Sequence, residues 1–146
     1  MDKIIQKEKY ETLKLENQIC FPLYAAAKEI IKRYKPVLDE FDLTYTQYIT
    51  LMVLWQGDGV TVKELGQKLF LDSGTLTPVL KSMEQKGYLK RQRAEGDERS
   101  VRIFLTDDGV ALKDRALDVP QKIAASVNLS SDEATTLYRL LYKILN

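Results

Sequence analysis

The chain has 146 residues, of which 45% are hydrophobic and 29% charged, the balance of one globular domain with a buried core. A single cysteine excludes an internal disulfide, and the lack of histidine argues against zinc sites and against serine or cysteine catalysis assisted by histidine. The formal net charge is +1, no apolar run approaches a membrane span, and the polar N-terminus lacks a signal-peptide core, so a cytoplasmic protein without membrane contact is expected.

A long helix is predicted over residues 13 to 39, because apolar residues recur there at helical spacing. Pro36 is expected to end or kink this helix. Pro22 would remove a backbone hydrogen bond if it lay more than one turn inside, so the helix is predicted to start close to Cys20.

Capping motifs predict the next three helices. The sequences T-Y-T-Q at residues 44–47 and T-V-K-E at residues 61–64 have the form of capping boxes, each ahead of an apolar run. L-D-S-G at residues 71–74 supplies a turn and a cap before a helix that Gly87 would end. Two short helices joined by this tight turn form a helix-turn-helix pair.

After Gly87 the spacing of apolar residues changes from helical to the alternating pattern of a β-strand. Residues 88–93 and 101–105 flank the polar segment 94–100, which predicts a β-hairpin with a projecting wing. T-D-D-G at residues 106–109 predicts a helix running toward Pro120, and S-S-D-E at residues 130–133 caps a terminal helix. The predicted fold is mainly α with a small β-hairpin wing (α+β), a winged helix-turn-helix.

The helix that begins near Ser73 is predicted to enter the major groove of DNA, which is wide enough to admit a helix. Its small hydroxyl side chains, Ser73, Thr75 and Thr77, would reach base edges and phosphates without holding the helix away from the groove floor. These residues alone leave open the alternative that they only cap the helix.

Residues 81–102 carry seven basic and four acidic side chains. Such a run by itself is usually a solvated surface, but beside a helix-turn-helix pair it favours contact with phosphates. Arg99 at the wing tip would enter a narrow minor groove, with Asp97 holding its guanidinium. The candidate DNA-binding residues are therefore Ser73, Thr75, Thr77, Lys81, Arg91, Arg93, Asp97 and Arg99.

Four segments carry a family resemblance: L-E-N-Q-I-C-F at 15–21, D-L-T-Y-T-Q-Y at 42–48, L-D-S-G-T-L-T-P at 71–78 and D-E-R-S at 97–100. The sequence resembles MarR-family regulators, in particular the one-cysteine group of organic hydroperoxide resistance repressors. The resemblance implies one MarR-type chain over residues 1–146 that forms a homodimer. Residues 13–40 and 107–146 would supply the dimerisation helices, and residues 42–105 would bind double-stranded DNA at an inverted-repeat operator.

The resemblance further implies that Cys20 senses peroxide and that Tyr34 and Tyr45 donate hydrogen bonds to its sulfur. A thiolate is the reactive form, and tyrosine hydroxyls or a helix N-terminus would stabilise its charge in a chain without histidine. Tyr24 lies one turn after Cys20 on the same helix face. Tyr34 lies about 21 Å away along a continuous helix, so it would reach only the thiol of the partner subunit.

Oxidation of Cys20 by an organic hydroperoxide would break these hydrogen bonds and release the DNA. Two-cysteine relatives carry a resolving cysteine that this chain lacks, so the oxidised sulfur would form a mixed disulfide with a low-molecular-weight thiol or overoxidise. No cofactor, metal or enzymatic activity is expected.

Three alternatives remain open at this point. The first is a regulator of the same family that responds to a small phenolic or apolar ligand, with Cys20 buried and structural. The second is a thiol peroxidase, which the missing strand-helix alternation of a thioredoxin-like fold disfavours. The third is a protein-interaction module that does not touch DNA.

Overall fold

A computed structural model of the chain describes residues 9–94 and 97–146, without the side chains of residues 94 and 97–99. The chain divides into two compact units, and the boundary between them falls between Ile49 and Thr50, within a helix. Helices predominate in both units, and the second also contains a small sheet, which confirms the predicted mainly α fold.

The first unit is built around α1, Cys20–Asp39, which follows two 3-10 turns, Glu11–Leu13 and Leu15–Asn17. The predicted start close to Cys20 is confirmed, whereas the wider helical prediction from residue 13 is wrong, because Pro22 is tolerated only near a helix start. Pro36 lies inside α1, and the helix continues to Asp39.

Helix α2, Tyr45–Gln56, begins at a capping box and crosses from the first unit into the second. The Thr44 backbone N–H donates to the side chain of Gln47 at 3.1 Å, and the Gln47 backbone N–H donates to the Thr44 hydroxyl at 3.2 Å. The predicted box is therefore confirmed, with two donors at the helix start satisfied.

The second unit contains the helix-turn-helix pair, α3 (Val62–Leu69) and α4 (Ser73–Gln85). Thr61 and Glu64 form the predicted capping box, and Asp72 caps α4. The turn between the helices passes through Phe70, whose φ of 55° is the left-handed conformation of a helix C-cap.

A three-stranded antiparallel sheet completes the winged part. Strands β2 (Leu89–Ala94) and β3 (Asp97–Leu105) form the predicted hairpin, whose strands extend into the segment that was predicted as its loop. Strand β1 (Val60–Thr61) pairs with the other edge of β3 and was not predicted, because two residues show no alternating pattern.

The C-terminal third forms three helices: α5 (Asp107–Arg115), α6 (Val119–Ser126) and α7 (Ser131–Leu145). The predicted helix after Thr106 is confirmed as α5, but it ends at Arg115, and Pro120 lies in the first turn of α6, where proline is favoured. The predicted capping box of α7 at Ser130 and Glu133 is confirmed.

The core of the second unit is formed by the inner faces of α3 and α4 and by β3, where Leu65, Leu76 and Ile103 are fully buried. The indole N–H of Trp55 donates to the Gly109 carbonyl at 2.9 Å and joins α2 to α5. Gly109 packs directly on the backbone carbonyl of Tyr88, where a Cβ atom would collide. The base of the wing is thereby held against α5.

The terminal helices differ from this core. Helix α7 has no buried residue, and its apolar side chains Leu137, Leu140 and Ile144 are 45%, 44% and 66% exposed. In α1 only Leu38 is buried. No helix in the described ranges is both long and apolar enough to cross a membrane.

Candidate nucleic-acid interface and thiol site

The N-terminus of α4 presents the hydroxyl residues that the sequence predicts to contact DNA. Asp72 accepts a hydrogen bond from the Thr75 backbone N–H at 2.7 Å, and this bond lowers the pKa of the Asp72 carboxyl. Ser73, Thr75 and Thr77 are all exposed. The Thr77 hydroxyl donates to the Ser73 carbonyl at 2.7 Å, so its oxygen remains available only as a hydrogen-bond acceptor.

The buried face of α4 holds the helix in place, so that its hydroxyl residues stay exposed. Leu76, Leu80 and Met83 are at most 1% exposed, which anchors the helix to the core of its unit. Lys81 lies one turn after Thr77 and is exposed, so it extends the hydroxyl edge with a positive charge. The helix therefore has one packed face and one polar face, as a groove-reading helix requires.

The basic residues of the wing divide into two groups. Arg93 on β2 is exposed, whereas Arg91 is held by Glu84 and Arg102 donates to the Gly59 carbonyl at 2.7 Å. Arg91 and Arg102 thus both bond within the chain. Asp97 and Arg99 belong to β3, and their side chains lie outside the described residues.

Cys20 is the first residue of α1, and its side chain is exposed. The N-cap residue, Ile19, gives no side-chain hydrogen bond to the helix start. Pro22 contributes no N–H, so the backbone N–H groups of Cys20 and Phe21 are the donors of this first turn. A negative charge on the sulfur would lie beside them, at the positive end of the helix dipole.

Two amides hold the segment that precedes Cys20. The Asn17 side chain donates to the Glu11 carbonyl at 2.7 Å, and the Gln18 side chain donates to the Thr12 carbonyl at 2.6 Å. The N-Q-x-C motif, which carries part of the family resemblance, therefore also has a structural role that sequence reasoning missed. Amide donors directly ahead of a predicted helix start are the signal that would have indicated it.

Tyr24 lies one turn after Cys20, as predicted, and is 61% exposed. The ammonium of Lys28 lies 5.1 Å from the centroid of its ring, within the range of a cation–π contact. Tyr24 is thus a neighbour of the thiol along the helix, with its ring also in contact with a cation.

The predicted tyrosines Tyr34 and Tyr45 lie together, with ring centroids 4.8 Å apart, and Tyr48 joins them at 5.8 Å from Tyr34. Burial, with smaller contributions from the Tyr45 and Tyr48 phenols, raises the pKa of Tyr34 to about 12. Burial also raises the pKa of Tyr45 and of Tyr48. These hydroxyls are protonated at neutral pH and are available as hydrogen-bond donors.

The thiol and this tyrosine cluster (Tyr34, Tyr45 and Tyr48) do not meet along one chain. Helix α1 runs without a break from Cys20 to Asp39, and fourteen positions along it separate Cys20 from Tyr34 by about 21 Å. Sequence reasoning missed Tyr48, whose position three residues after Tyr45 on one helix was the available signal.

Residues 32–116 match the family model of the transcriptional regulators SarA/Rot. The chain is 49% identical over 139 residues to the organic hydroperoxide resistance transcriptional regulator of Bacillus subtilis, covering 95% of each chain. The chain belongs to the MarR/SarA family of winged-helix transcriptional regulators. It is also 46% identical over 123 residues to the regulator SarZ of Staphylococcus aureus, covering 84% of this chain and 83% of SarZ.

Solved structures of AbfR, a regulator of Staphylococcus epidermidis, are similar to this MarR/SarA-type chain. Reduced AbfR bound to DNA matches with a TM-score of 0.77 and 35% identity, covering 95% of this chain and 96% of AbfR. AbfR with a disulfide formed matches with a TM-score of 0.63 and 34% identity, covering 96% and 95%. These matches confirm the predicted winged helix-turn-helix and identify the chain as a transcriptional regulator, not an enzyme, which sets aside the peroxidase alternative.

Proposed function

We propose that this regulator is a homodimeric repressor that binds operator DNA when Cys20 is reduced and releases it when an organic hydroperoxide oxidises Cys20. The observation that carries the proposal is an exposed thiol at an uncapped helix start, in a chain 49% identical to an organic hydroperoxide resistance regulator. The fold supplies the DNA-reading elements, and the two terminal helices supply an apolar surface for a second copy.

The polar edge of α4 and the wing form the proposed DNA contact. The hydroxyls on α4 reach base edges and phosphates, and the exposed cations Lys81 and Arg93 contact phosphates on either side. Arg99 enters the minor groove, with Asp97 orienting it, an assignment that rests on the sequence alone. Two copies related by a two-fold axis would read an inverted repeat with half-sites about 34 to 36 Å apart.

Two groups of hydrogen-bond donors stabilise the thiolate form of Cys20. The backbone N–H groups at the start of α1 stabilise negative charge on the sulfur from its own chain. Tyr34 lies about 21 Å along α1 from Cys20, and Tyr45, the first residue of α2, packs against Tyr34, so neither protonated hydroxyl reaches the thiol of its own chain. They therefore act on the Cys20 of the partner subunit, so the sensing site is complete only in the dimer.

The oxidation step consumes one peroxide for each thiol. The thiolate sulfur attacks the outer peroxide oxygen, the O–O bond breaks, and the products are a sulfenic acid on Cys20 and an alkoxide that takes a proton to become an alcohol. A low-molecular-weight thiol then displaces water from the sulfenic acid and forms a mixed disulfide. The added bulk breaks the hydrogen bonds from the tyrosines and shifts the two DNA-reading lobes.

A DNA duplex selected by the wild-type protein from a randomised pool provides the test. Gel shifts of this selected duplex are compared before and after treatment with cumene hydroperoxide and a low-molecular-weight thiol, for wild type and for Cys20→Ser, which keeps the shape of the side chain without its redox chemistry. Wild type is expected to leave the duplex and Cys20→Ser to remain bound.

An equal response of both proteins would contradict the thiol mechanism. Release of both proteins by a phenolic compound without oxidant would instead support the small-ligand alternative. Failure of reduced wild type to select any duplex would contradict the DNA-binding role.

A further inference from the structure

One carboxylate joins the end of helix α4 to the first strand of the wing. Glu84, in the last turn of α4, accepts a hydrogen bond from the backbone N–H of Arg91 on β2 at 3.0 Å. Its other oxygen accepts from Nη2 and Nε of the same Arg91 at 3.0 and 3.3 Å. The two residues are seven positions apart, on either side of the Gly87 turn.

The position of β2 gives these bonds their importance. In the sheet order β1-β3-β2, strand β2 is an edge, and Arg91 is paired with Ile103 of β3. An edge strand presents backbone groups without a strand partner on its outer side. Glu84 satisfies one of them and so attaches the edge of the wing to the helix that precedes it.

The contact is partly shielded from water, because the side chains of Arg91 and Glu84 are 29% and 38% exposed. The hydrogen bonds from Arg91 lower the pKa of the Glu84 carboxyl, which therefore stays ionised at neutral pH. Arg93 provides the contrast: it is two residues further along β2, on the same face by strand alternation, and its side chain is exposed.

We infer that Glu84 and Arg91 form a lock that fixes the wing relative to α4, and that Arg91 supports operator binding by positioning the wing and not by contacting phosphate. The inference rests on the proposed DNA-binding function. Helix α4 and the wing must enter neighbouring grooves together, and a wing that moved freely would have to be ordered on binding. The lock sets this geometry before the DNA arrives.

Glu84→Gln separates the lock from a direct phosphate contact. The substitution keeps the size of the side chain and the charge of Arg91, and it removes a negative charge near the DNA. A direct contact by Arg91 predicts unchanged or tighter binding, because the electrostatic repulsion of DNA decreases. The lock predicts weaker binding by about tenfold, the effect of losing charge-assisted hydrogen bonds.

The experiment measures affinity for the selected duplex by fluorescence anisotropy at several salt concentrations. Arg91→Ala and Glu84→Gln are expected to weaken binding with an unchanged slope of log affinity against log salt. The control Arg93→Ala is expected to reduce that slope by about 0.9, because one phosphate is no longer neutralised by the protein. Arg91→Lys keeps the charge but not the two-point geometry, so it too is expected to bind weakly.

Urea unfolding of each variant shows whether a loss of affinity reflects misfolding. If Arg91→Ala does not fold, the affinity of Arg91→Lys, the milder change, is compared with that of wild type instead. Wild-type affinity in Glu84→Gln together with a reduced salt slope in Arg91→Ala would overturn the lock. Failure of wild type itself to bind the duplex would contradict the proposed function instead, so the two failures are distinguishable.

Discussion

The burial of apolar side chains differs between two parts of the chain. They form a buried core in the helix-turn-helix and its wing, whereas most of them are exposed in the terminal helices α1 and α7. Leu65, Leu76 and Ile103 are 0% exposed, whereas Ile19, just before α1, is 82% exposed and Tyr138 of α7 is 65% exposed. The winged region completes its core within one chain. The terminal helices leave apolar surface uncovered, which is the physical reason for proposing that a second copy packs there.

The helix starts show a second difference, between the winged region and α1. Helices α3, α4 and α5 each begin with a side-chain cap, supplied by Thr61, Asp72 and Thr106. Helix α1 begins after Ile19, which provides no such cap. Backbone N–H groups at the starts of α3, α4 and α5 are thus bonded to side-chain caps, while α1, which carries the thiol, keeps backbone donors for a negative charge.

The largest expected effect comes from placing a charge on the exposed apolar face of α7. Leu140→Glu is expected to give a monomer by analytical ultracentrifugation and to weaken operator binding by about a thousandfold or more, toward non-specific levels. Arg139→Glu, on a different face of the helix, is the matched control and is expected to leave a dimer. A dimeric Leu140→Glu that retains full affinity would show that α7 does not form the interface.

A substitution inside the winged region is expected to have a smaller effect, on stability. Gly109→Ala forces a Cβ atom against the Tyr88 carbonyl, a backbone atom that cannot turn aside. We expect the free energy of unfolding in urea to fall by about 1 to 3 kcal/mol. Gly57→Ala, where a Cβ atom meets nothing within 4 Å, serves as the control. Equal stability of the two variants would contradict the close contact of α5 with the wing base.

The tyrosine cluster predicts a late titration. Tyr34 has a pKa of about 12 in the folded chain against its ordinary value of 10.0. Its contribution to stability is therefore full below pH 10 and is lost as the pH rises toward 12, because the unfolded chain ionises first.

Absorbance at 295 nm should show a component that titrates well above the ordinary tyrosine range and becomes smaller in Tyr34→Phe, while Tyr24→Phe leaves its amplitude unchanged. If Tyr34→Phe leaves the late component unchanged, the cluster does not shield this phenol from water.

The smallest effect is expected for a helix cap. The Thr106 hydroxyl accepts from the Gly109 N–H at 3.1 Å and donates to the Gly87 carbonyl at 2.6 Å. Thr106→Ala is expected to cost about 1 to 2 kcal/mol of unfolding free energy. Thr135→Ala, on the exposed surface of α7, is expected to change stability by less than about 0.5 kcal/mol. A ranking in the reverse order would show that the Thr106 bonds do not stabilise α5.

Local signals explain how much of the fold could be predicted from the sequence. The capping boxes at Thr44, Thr61 and Ser130 involve residues three positions apart, so the sequence alone indicates them. Strand β1 and the break between α5 and α6 depend on contacts with distant or weakly patterned segments, and neither was predicted.

The candidate site shows the same limit. The hydroxyl edge of α4 follows from helix periodicity, but the bonds between Glu84 and Arg91 link two elements, and a count of charges does not reveal which residues pair. The pairing of Tyr34 with Tyr45 rested on the family resemblance, since the two residues lie on different helices. Tyr48 is not among the predicted site residues, because no motif distinguishes it from the other buried residues of α2.

A heterodimer tests most directly whether the Cys20 thiol of one subunit accepts hydrogen bonds from tyrosines of the other. One chain carries Cys20→Ser and the other carries Tyr34→Phe with Tyr45→Phe, distinguished by an affinity tag. The rate of Cys20 oxidation by cumene hydroperoxide is followed by intact mass. We predict the wild-type rate for each thiol, because the remaining sulfur faces intact tyrosines of its partner. The Tyr34→Phe, Tyr45→Phe homodimer is expected to oxidise more slowly than wild type. If the heterodimer is as slow as this homodimer, the tyrosines do not act on the thiol of the partner subunit.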